Sequence, residues 1–286
     1  TRTILSTLKS LFLVLIFVEG FIRLISSFQF NKTFDGRAPE RHMVKHGTPT
    51  MGCILIVSSV LISGILWGNL FDKYLILGLI CIVGFAIIGF IDDYKKVKIE
   101  SSKGLSSIEK IFFQSILAGI ISISLFMLAV DKNELIYIVP FFKNVALDLG
   151  IFFIFISIFI IVGSSNAVNL TDGLDGLAIL PVIIITSALG IIAWAAGNVI
   201  ASDYLYIPYV EGTGELLVLC GALIGAGIGF LWFNTYPAQI FMGDVGSLSM
   251  GAFIAYIAIV VRHEIVFAVM SAVFVMEALS VIIQVG

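Results

Sequence analysis

The chain has 286 residues, of which 59% are hydrophobic and 12% are charged, and its formal net charge is −3. Soluble domains carry roughly 25% charged residues, so a chain this apolar cannot cover a surface that faces water. A net charge this small also argues against a nucleic-acid partner. The composition therefore predicts an integral membrane protein.

Apolar segments recur along the whole chain. A membrane-crossing helix needs about 20 mostly apolar residues. Because the polar segments between the apolar ones are short, the sequence predicts an all-α polytopic bundle that forms a single domain over residues 1–286. The nine candidate spans are 5–28, 51–70, 74–91, 111–130, 146–163, 176–197, 214–233, 246–261 and 265–285.

Positive charges fall on one side of this predicted bundle. Five lysines lie in segment 92–110 and four Lys or Arg residues lie in segment 31–50, whereas segment 198–213 has neither. Short loops rich in Lys and Arg stay in the cytoplasm, so the first two segments are predicted to be cytoplasmic and the N-terminus to be outside. Counting spans then puts 164–176 and 234–247 on the cytoplasmic side too. Four polar segments on one face predict a site that takes a water-soluble substrate and a lipid together.

Two adjacent carboxylates, Asp92 and Asp93, end the third apolar segment. Ionisable groups at membrane depth are expensive, so they are usually functional or paired. Beside a cluster of lysines, this pair is suited to binding a hard cation or to acting as a base. A solvated helix end is the simpler alternative.

Two amides followed by two carboxylates mark a second segment, in which Asn166, Asn169, Asp172 and Asp175 recur at every third residue. That spacing keeps neighbours on adjoining parts of one helical face. Amides suit the hydrogen-bonding edges of a nucleoside, and carboxylates suit a metal ion bound to phosphate. A capped turn between two spans is the alternative, although a turn needs only one such residue.

A third set of candidates surrounds two glycine-rich turns. Asp244 lies between two glycines directly before a span, and Mg²⁺ prefers one or two carboxylates plus phosphate oxygens, so Asp244 is the strongest candidate metal ligand. A plain helix N-cap is its alternative role. Phe241 is suited to stacking on a base, and Ser247 with its helix N-terminus to facing a phosphate. Lys45 and Thr50, in a Gly-Pro turn, are placed to meet phosphate oxygens.

These motifs resemble the polyprenyl-phosphate N-acetylhexosamine-1-phosphate transferase superfamily. DGLDGLA and the Asp pair are shared across that superfamily, whereas KxGTPTMG and NAVNLTDGLDG are similar to its phospho-N-acetylmuramoyl-pentapeptide transferase branch. The resemblance runs from about residue 36 to residue 286, and the matching stretches are HMVKHGTPTMG, GFIDDYKKV, SKGLSSIEK, NAVNLTDGLDGLA, GFLWFNTYPAQIFMGDVGSL and VFVMEALSVIIQVG.

The resemblance implies a reaction. Enzymes of that branch transfer phospho-N-acetylmuramoyl-pentapeptide from its UDP donor to undecaprenyl phosphate, releasing UMP and forming lipid I in peptidoglycan synthesis. They use Mg²⁺ and work at the cytoplasmic face of the bacterial inner membrane. The implied partners are these two substrates and the lipid bilayer, and a homodimer is among the assemblies that the resemblance allows.

The resemblance also implies roles for individual residues. Asp92 matches a proposed base toward the lipid phosphate, Asp93 is its paired aspartate, and Asp244 matches the Mg²⁺ ligand. The predicted catalytic residues are Asp92, Asp93, Asp244, Lys45 and Lys110, and the predicted metal ligands are Asp244 and Asp172. The predicted substrate-binding residues are Thr50, Lys96, Asn166, Asn169, Asp172, Asp175, Asn234, Phe241, Ser247 and Gln284, of which Gln284 matches a position near the uridine.

Two departures from the family pattern accompany these matches. Cys53 stands where the family usually has glycine, and the family continues beyond residue 286 with a His-rich cytoplasmic loop and a tenth span, so we expect a longer natural chain. One alternative is a related GlcNAc-1-phosphate transferase with nearly the same catalytic residues. The other is a membrane transporter, which would carry its polar residues near the bilayer midplane rather than at span ends.

Overall fold

The structure, a computed structural model, is almost entirely helical, and it describes residues 1–29, 49–98, 104–129, 134–138, 146–173 and 175–285. A small antiparallel hairpin pairs β1 (Ile136–Ile138) with β2 (Ala146–Asp148). The α-helices in these parts of the chain are α1 (Arg2–Gln29), α2 (Cys53–Trp67), α3 (Lys73–Lys98), α4 (Ser107–Leu128), α5 (Phe152–Thr171), α6 (Ile179–Ala196), α7 (Val199–Leu205), α8 (Leu216–Asn234), α9 (Asp244–Val260), α10 (Glu264–Met270) and α11 (Ala272–Val285), and a 3₁₀ turn (Thr213–Glu215) precedes α8.

Every predicted span overlaps at least one helix. Within the described residues, α3, α4, α5, α6 and α8 are each long and apolar enough to cross a membrane, and α10 with α11 makes a sixth span if the bent pair counts as one. Helices α2 and α9 are also apolar but have 15 and 17 residues. Large apolar side chains such as Phe159 and Trp232 point outward, 78% and 77% exposed. The chain is therefore a polytopic helical membrane protein.

Two predicted boundaries are wrong in the same way. Helix α3 continues past residue 91 to Lys98, and α5 lies at Phe152–Thr171 rather than at 146–163. Counting apolar residues ends a span at its first polar residues, but the Asp, Tyr and Lys residues of α3 and the Ser and Asn residues of α5 continue helical hydrogen bonding at small cost. Asp92 and Asp93 therefore lie on the last turns of a helix, not in a loop.

The last predicted span, 265–285, is also wrong as a single helix. It is divided into α10 and α11, which are bent by 70° relative to each other. Ser271 lies at the break, and its hydroxyl donates to the Phe267 carbonyl at 2.7 Å. A serine that bonds back to the preceding turn often bends a helix, which explains why an uninterrupted apolar run is not a straight helix.

Helix α9 lies at the centre of the bundle. Every side chain from Val245 to Val260 is buried, and the helix packs against α3 and α5. Ser164 donates to the Gly251 carbonyl at 2.7 Å, and a Cβ on Gly251 would stand 2.7 Å from the Ser164 carbonyl oxygen. Small residues and cross-helix hydroxyl bonds allow this close approach in a membrane, so the ends of α3, α5 and α9 have fixed relative positions.

The far end of α9 adjoins a separate charged cluster. Glu134 accepts from the Tyr74 hydroxyl at 2.6 Å and from the Lys73 ammonium at 2.9 Å. Arg262, which is 1% exposed, lies 4.0 Å from Glu264. Buried ions need partners of this kind. These groups belong to the end of α9 opposite Asp244, so the chain has two distinct polar ends.

Candidate active site

Three carboxylates meet where the end of α3 faces the start of α9. One oxygen from each of Asp92, Asp93 and Asp244 lies within 4.8 Å of the other two. The approach depends on Gly89, one turn before the Asp pair on α3, because a Cβ there would stand 2.3 Å from the backbone oxygen of Asp244. The glycine and the two aspartates of the GFIDD stretch thus act together to bring two helices into contact.

Two ammonium groups bridge these carboxylates. Lys96 Nζ lies 2.6 Å from Asp92 Oδ2 and 2.8 Å from Asp244 Oδ2. Lys110 Nζ lies 3.1 Å and 2.8 Å from the same two oxygens. Lys96 follows Asp92 by one turn of α3, and Lys110 comes from the first turns of α4. With all five groups ionised, the cluster keeps an excess of one negative charge.

Backbone amides fix the two aspartates of α3. Leu105 N donates to Asp92 Oδ1 at 2.6 Å, from the turn that leads into α4. Val245 N donates to Asp93 Oδ2 at 3.4 Å, so a carboxylate from α3 lies at the N-terminus of α9, where the helix dipole favours negative charge. Each aspartate therefore ties α3 to a different neighbouring element.

Asp172 joins the site through the peptide that precedes Asp244. Gly243 N donates to Asp172 Oδ2 at 3.0 Å, and Gly243 has φ 74°, a conformation that favours glycine. Burial, with the charges of Asp244 and Asp93 adding to it, raises the pKa of Asp172 to about 8. Asp172 thus stands behind Gly243, whereas Asp92 and Asp93 share one carboxylate cluster with Asp244 in the described chain, and the predicted role of Asp172 as a metal ligand stays a prediction.

The predicted amide and carboxylate positions hold the 234–247 segment against α5. Ser247 Oγ donates to Asn169 Oδ1 at 2.6 Å. Asn234 accepts from Gly176 N at 3.1 Å and donates to the Ile240 carbonyl at 2.8 Å. Ala238 N donates to Asp175 Oδ2 at 3.2 Å. Asn169, Asp175, Asn234 and Ser247 therefore each take part in a hydrogen bond that joins the stretch 169–176 to the stretch 234–247.

A further chain segment lies along the same side of the site. Phe241 N donates to the Pro49 carbonyl at 2.9 Å, and Gly52 N donates to the Phe241 carbonyl at 3.0 Å. Thr50 and Phe241 therefore occupy adjacent extended segments. Lys45 lies outside the described residues, so its predicted phosphate contact stays a prediction.

Two predicted substrate-binding residues are placed differently. Asn166 donates to Gln114 Oε1 at 2.6 Å and to the Val162 carbonyl at 2.8 Å, which directs its amide toward α4 and its own helix. Gln284 donates to Ser280 within α11 at 3.2 Å. Neither described contact leads to the carboxylate cluster, and their predicted roles in binding stay predictions.

Sequence reasoning missed the backbone part of the site. The amides of Leu105 and Val245 carry no side-chain signal, and the contact that Gly89 allows depends on a helix far along the chain. Gly89 itself is a signal that could have predicted a close helix contact. Glycine in a helix interior costs roughly 0.5–1 kcal/mol, so its presence there needs a packing reason.

A comparison with known families decides the class of protein. The family model for Glycosyl transferase family 4 matches residues 75–262, which is most of the chain. The chain belongs to this family. The matched region contains the three clustered carboxylates, both bridging lysines and the hydrogen bonds of Asn169, Asp175, Asn234 and Ser247.

Glycosyl transferase family 4 comprises polyprenyl-phosphate sugar-phosphate transferases, so this chain is a membrane phosphoglycosyl transferase with a lipid and a sugar nucleotide as partners. Membership favours the enzyme over the transporter alternative. The location of the carboxylates at helix ends agrees with this, because transporters place such groups on broken helices near the midplane.

The carboxylate cluster fits the metal dependence that is usual in Glycosyl transferase family 4. Hard divalent cations take oxygen ligands, and three carboxylates within 4.8 Å supply them. Asp92 Oδ2 is buried and accepts no hydrogen bond of regular geometry from the described part of the chain, although two ammonium groups lie within ion-pair distance. Such an oxygen is suited to a cation.

Proposed function

We propose that the protein transfers phospho-N-acetylmuramoyl-pentapeptide from its UDP donor to undecaprenyl phosphate, releasing UMP and forming lipid I for peptidoglycan synthesis. The observation that carries the proposal is the cluster of Asp92, Asp93 and Asp244 with Lys96 and Lys110, within the region matched by the family. The KxGTPTMG and NAVNLTDGLDG stretches support this particular donor.

Each charged group has a task in this reaction. Phosphoryl transfer depends mainly on positioning and on electrostatic stabilisation, and both substrates are anions, so Lys96 and Lys110 are suited to holding them in line. Asp92 is suited to accepting the remaining proton of the lipid phosphate. The second pKa of a phosphate monoester is about 6, so the need for this base is modest at neutral pH.

A metal ion completes the proposed machinery. Asp244, with Asp92 and Asp93 beside it, would hold Mg²⁺, and the ion would supply charge neutralisation at the pyrophosphate. Asp172 fixes the Gly243 peptide and so positions the first turn of α9. The Asn169–Ser247 and Asn234–Gly176 hydrogen bonds hold the walls against which the nucleotide would lie.

The lipid acceptor requires an apolar surface inside the membrane. A cavity of about 570 Å³ lies between α5 and the bent α10–α11 pair, and it is lined largely by apolar side chains, including Phe159, Phe267 and Phe274. This cavity supports a long-chain substrate.

The proposed location is the bacterial inner membrane with the site facing the cytoplasm. The distribution of charge supports this orientation, since segment 92–110 carries five lysines and segment 198–213 carries neither Lys nor Arg. A cytoplasmic site also fits a UDP-linked donor, because such a nucleotide sugar is soluble in water.

The test is UMP release by the protein in nanodiscs. The donor is UDP-N-acetylmuramoyl-pentapeptide or UDP-GlcNAc, each with and without undecaprenyl phosphate, and each with Mg²⁺ or EDTA. We expect UMP from the muramoyl donor only, dependent on both lipid and Mg²⁺. Release from UDP-GlcNAc instead would assign the GlcNAc-1-phosphate reaction, and no release from either donor would contradict both assignments.

A further inference from the structure

Lys96 and Lys110 occupy the oxygens that a metal ion would use. Both ammonium groups converge on Asp92 Oδ2 and Asp244 Oδ2, at 2.6–3.1 Å. Mg²⁺ takes carboxylate oxygens at about 2.0–2.1 Å, so an ion bound to either oxygen would lie close to two like charges. The two ammonium groups therefore compete electrostatically with a metal ion for these two oxygens.

We propose that Lys96 and Lys110 are exchangeable counter-ions. They neutralise the Asp92–Asp244 pair when no metal is bound, and they move to phosphate oxygens when a divalent cation arrives together with a nucleotide. The identity of the phosphate ligand rests on the proposed function, whereas the competition between lysine and metal rests on the ion pairs alone.

Charge balance determines the order of events. The five groups have an excess of one negative charge, which a divalent cation alone would convert into a positive excess. The anionic pyrophosphate of a nucleotide removes this excess and gives the displaced ammonium groups new partners. Metal affinity is therefore low without nucleotide and high with it, and linkage requires the metal to strengthen nucleotide binding by the same factor.

The two lysines are able to make this movement. Their side chains have four-carbon stems with freely rotating ammonium groups, which suits a change of partner. The Lys96 side chain is 34% exposed, and that of Lys110 is 15% exposed. Lys96 therefore has the easier path to a new partner.

The test measures binding of Mn²⁺, as an EPR-visible probe, to the full chain in nanodiscs without nucleotide. Lys96→Met and Lys110→Met remove one competing charge each and are expected to bind Mn²⁺ about tenfold tighter than the unchanged protein, since a charge about 4 Å away is worth a few kcal/mol at most. Lys96→Arg keeps the charge, so its Mn²⁺ binding should stay as weak as that of the unchanged protein. Lys95→Met removes a neighbouring charge that makes none of the described ion pairs of the cluster, so it should change the Mn²⁺ affinity little. Equal or weaker Mn²⁺ binding by both methionine variants would overturn the proposal.

A second titration adds UDP as the phosphate probe. UDP should tighten Mn²⁺ binding about tenfold in the unchanged protein, a coupling of about 1.4 kcal/mol, and by less in both methionine variants. An equal effect of UDP in all three proteins would contradict the transfer of the lysines to phosphate. Failure of every UDP-sugar in the UMP assay would remove the proposed function but would leave these Mn²⁺ affinities decisive for the competition.

Discussion

Asp93, Asp172 and Asp244 all lie at the turn that begins α9, but they differ in what they bind. Asp172 accepts a hydrogen bond from the Gly243 amide, and Asp93 accepts one from the Val245 amide. These two amides flank Asp244. Asp244 itself accepts hydrogen bonds from the ammonium groups of Lys96 and Lys110. At this scale, two aspartates set the conformation of the turn, and the third presents charge to the site. Their substitutions should therefore fail in different ways.

Asp244→Asn should lower transferase turnover by about a thousandfold, because loss of a metal ligand removes several kcal/mol of charge stabilisation. The fold should persist, since Asp92 still pairs with both lysines. UMP release measures turnover, and thermal unfolding measures the fold. Asp203→Asn, which removes an exposed carboxylate from α7, is the control. Near-normal turnover in Asp244→Asn would exclude Asp244 as the metal ligand.

Asp172 should make the metal-free protein less stable as the pH rises. Its folded pKa of about 8 lies above the ordinary value of 3.8, so the folded state holds a proton that the unfolded state loses between about pH 4 and pH 8. Stability linked to this proton is complete below pH 4 and is lost as the pH approaches 8. In EDTA, Asp172→Asn should show a smaller fall in melting temperature from pH 5 to pH 8. Parallel curves for both proteins would contradict this assignment.

Helix α8 shows how elements in this bundle approach one another. Gly221, Gly225 and Gly229 recur at every fourth residue on the side facing α1, and a Cβ on Gly225 would stand 2.0 Å from the Thr7 carbonyl oxygen. Small residues at this spacing let two membrane helices bring their backbones together. The contact positions α1 against the helix that ends at Asn234, beside the site.

Gly225→Ala should destabilise the protein by about 1–3 kcal/mol, because the added methyl meets backbone rather than a flexible side chain. Gly163→Ala is a matched control on α5, where a Cβ would meet nothing within 4 Å. The control should be neutral or slightly stabilising, since alanine is the better helix former. Thermal unfolding in nanodiscs compares the two, and equal melting temperatures would show that α1 and α8 are free to separate.

The bounds of the helices show which parts of the site could be predicted from the sequence. Hydropathy predicted a span over each long apolar helix of the described chain, and the positions of lysines and arginines predicted that the polar segments share one face. It could not show that α3 continues beyond Asp93, because helix continuation depends on hydrogen bonding rather than on apolar character. It also could not show which lysines bind Asp244, since Lys96 and Lys110 reach it only after α3, α4 and α9 have packed together.

The whole molecule separates catalysis from a charged cluster at the other end of α9. Asp244 begins the helix and Arg262 follows its end, and 17 residues at about 1.5 Å each separate the two ends by about 25 Å. Arg262 lies over the Phe153 ring at 4.8 Å and is held near Glu264. This cluster ties α5, α9 and α10 together at the end of α9 that is remote from the carboxylates, and Glu264 also lines the apolar cavity beside α5.

Arg262→Leu should therefore lower stability without changing the chemistry. Removing one partner of a buried ion pair leaves an uncompensated charge on Glu264 and typically costs about 3–5 kcal/mol. The double variant Arg262→Leu/Glu264→Leu removes both charges and should recover most of this loss. Thermal unfolding measures the cycle, and UMP release per folded molecule should stay close to that of the unchanged protein in both variants. A double variant as unstable as the single one would mean that packing on Phe153, rather than charge balance, holds this end together, whereas a loss of turnover in well-folded protein would mean that the two ends of α9 are coupled.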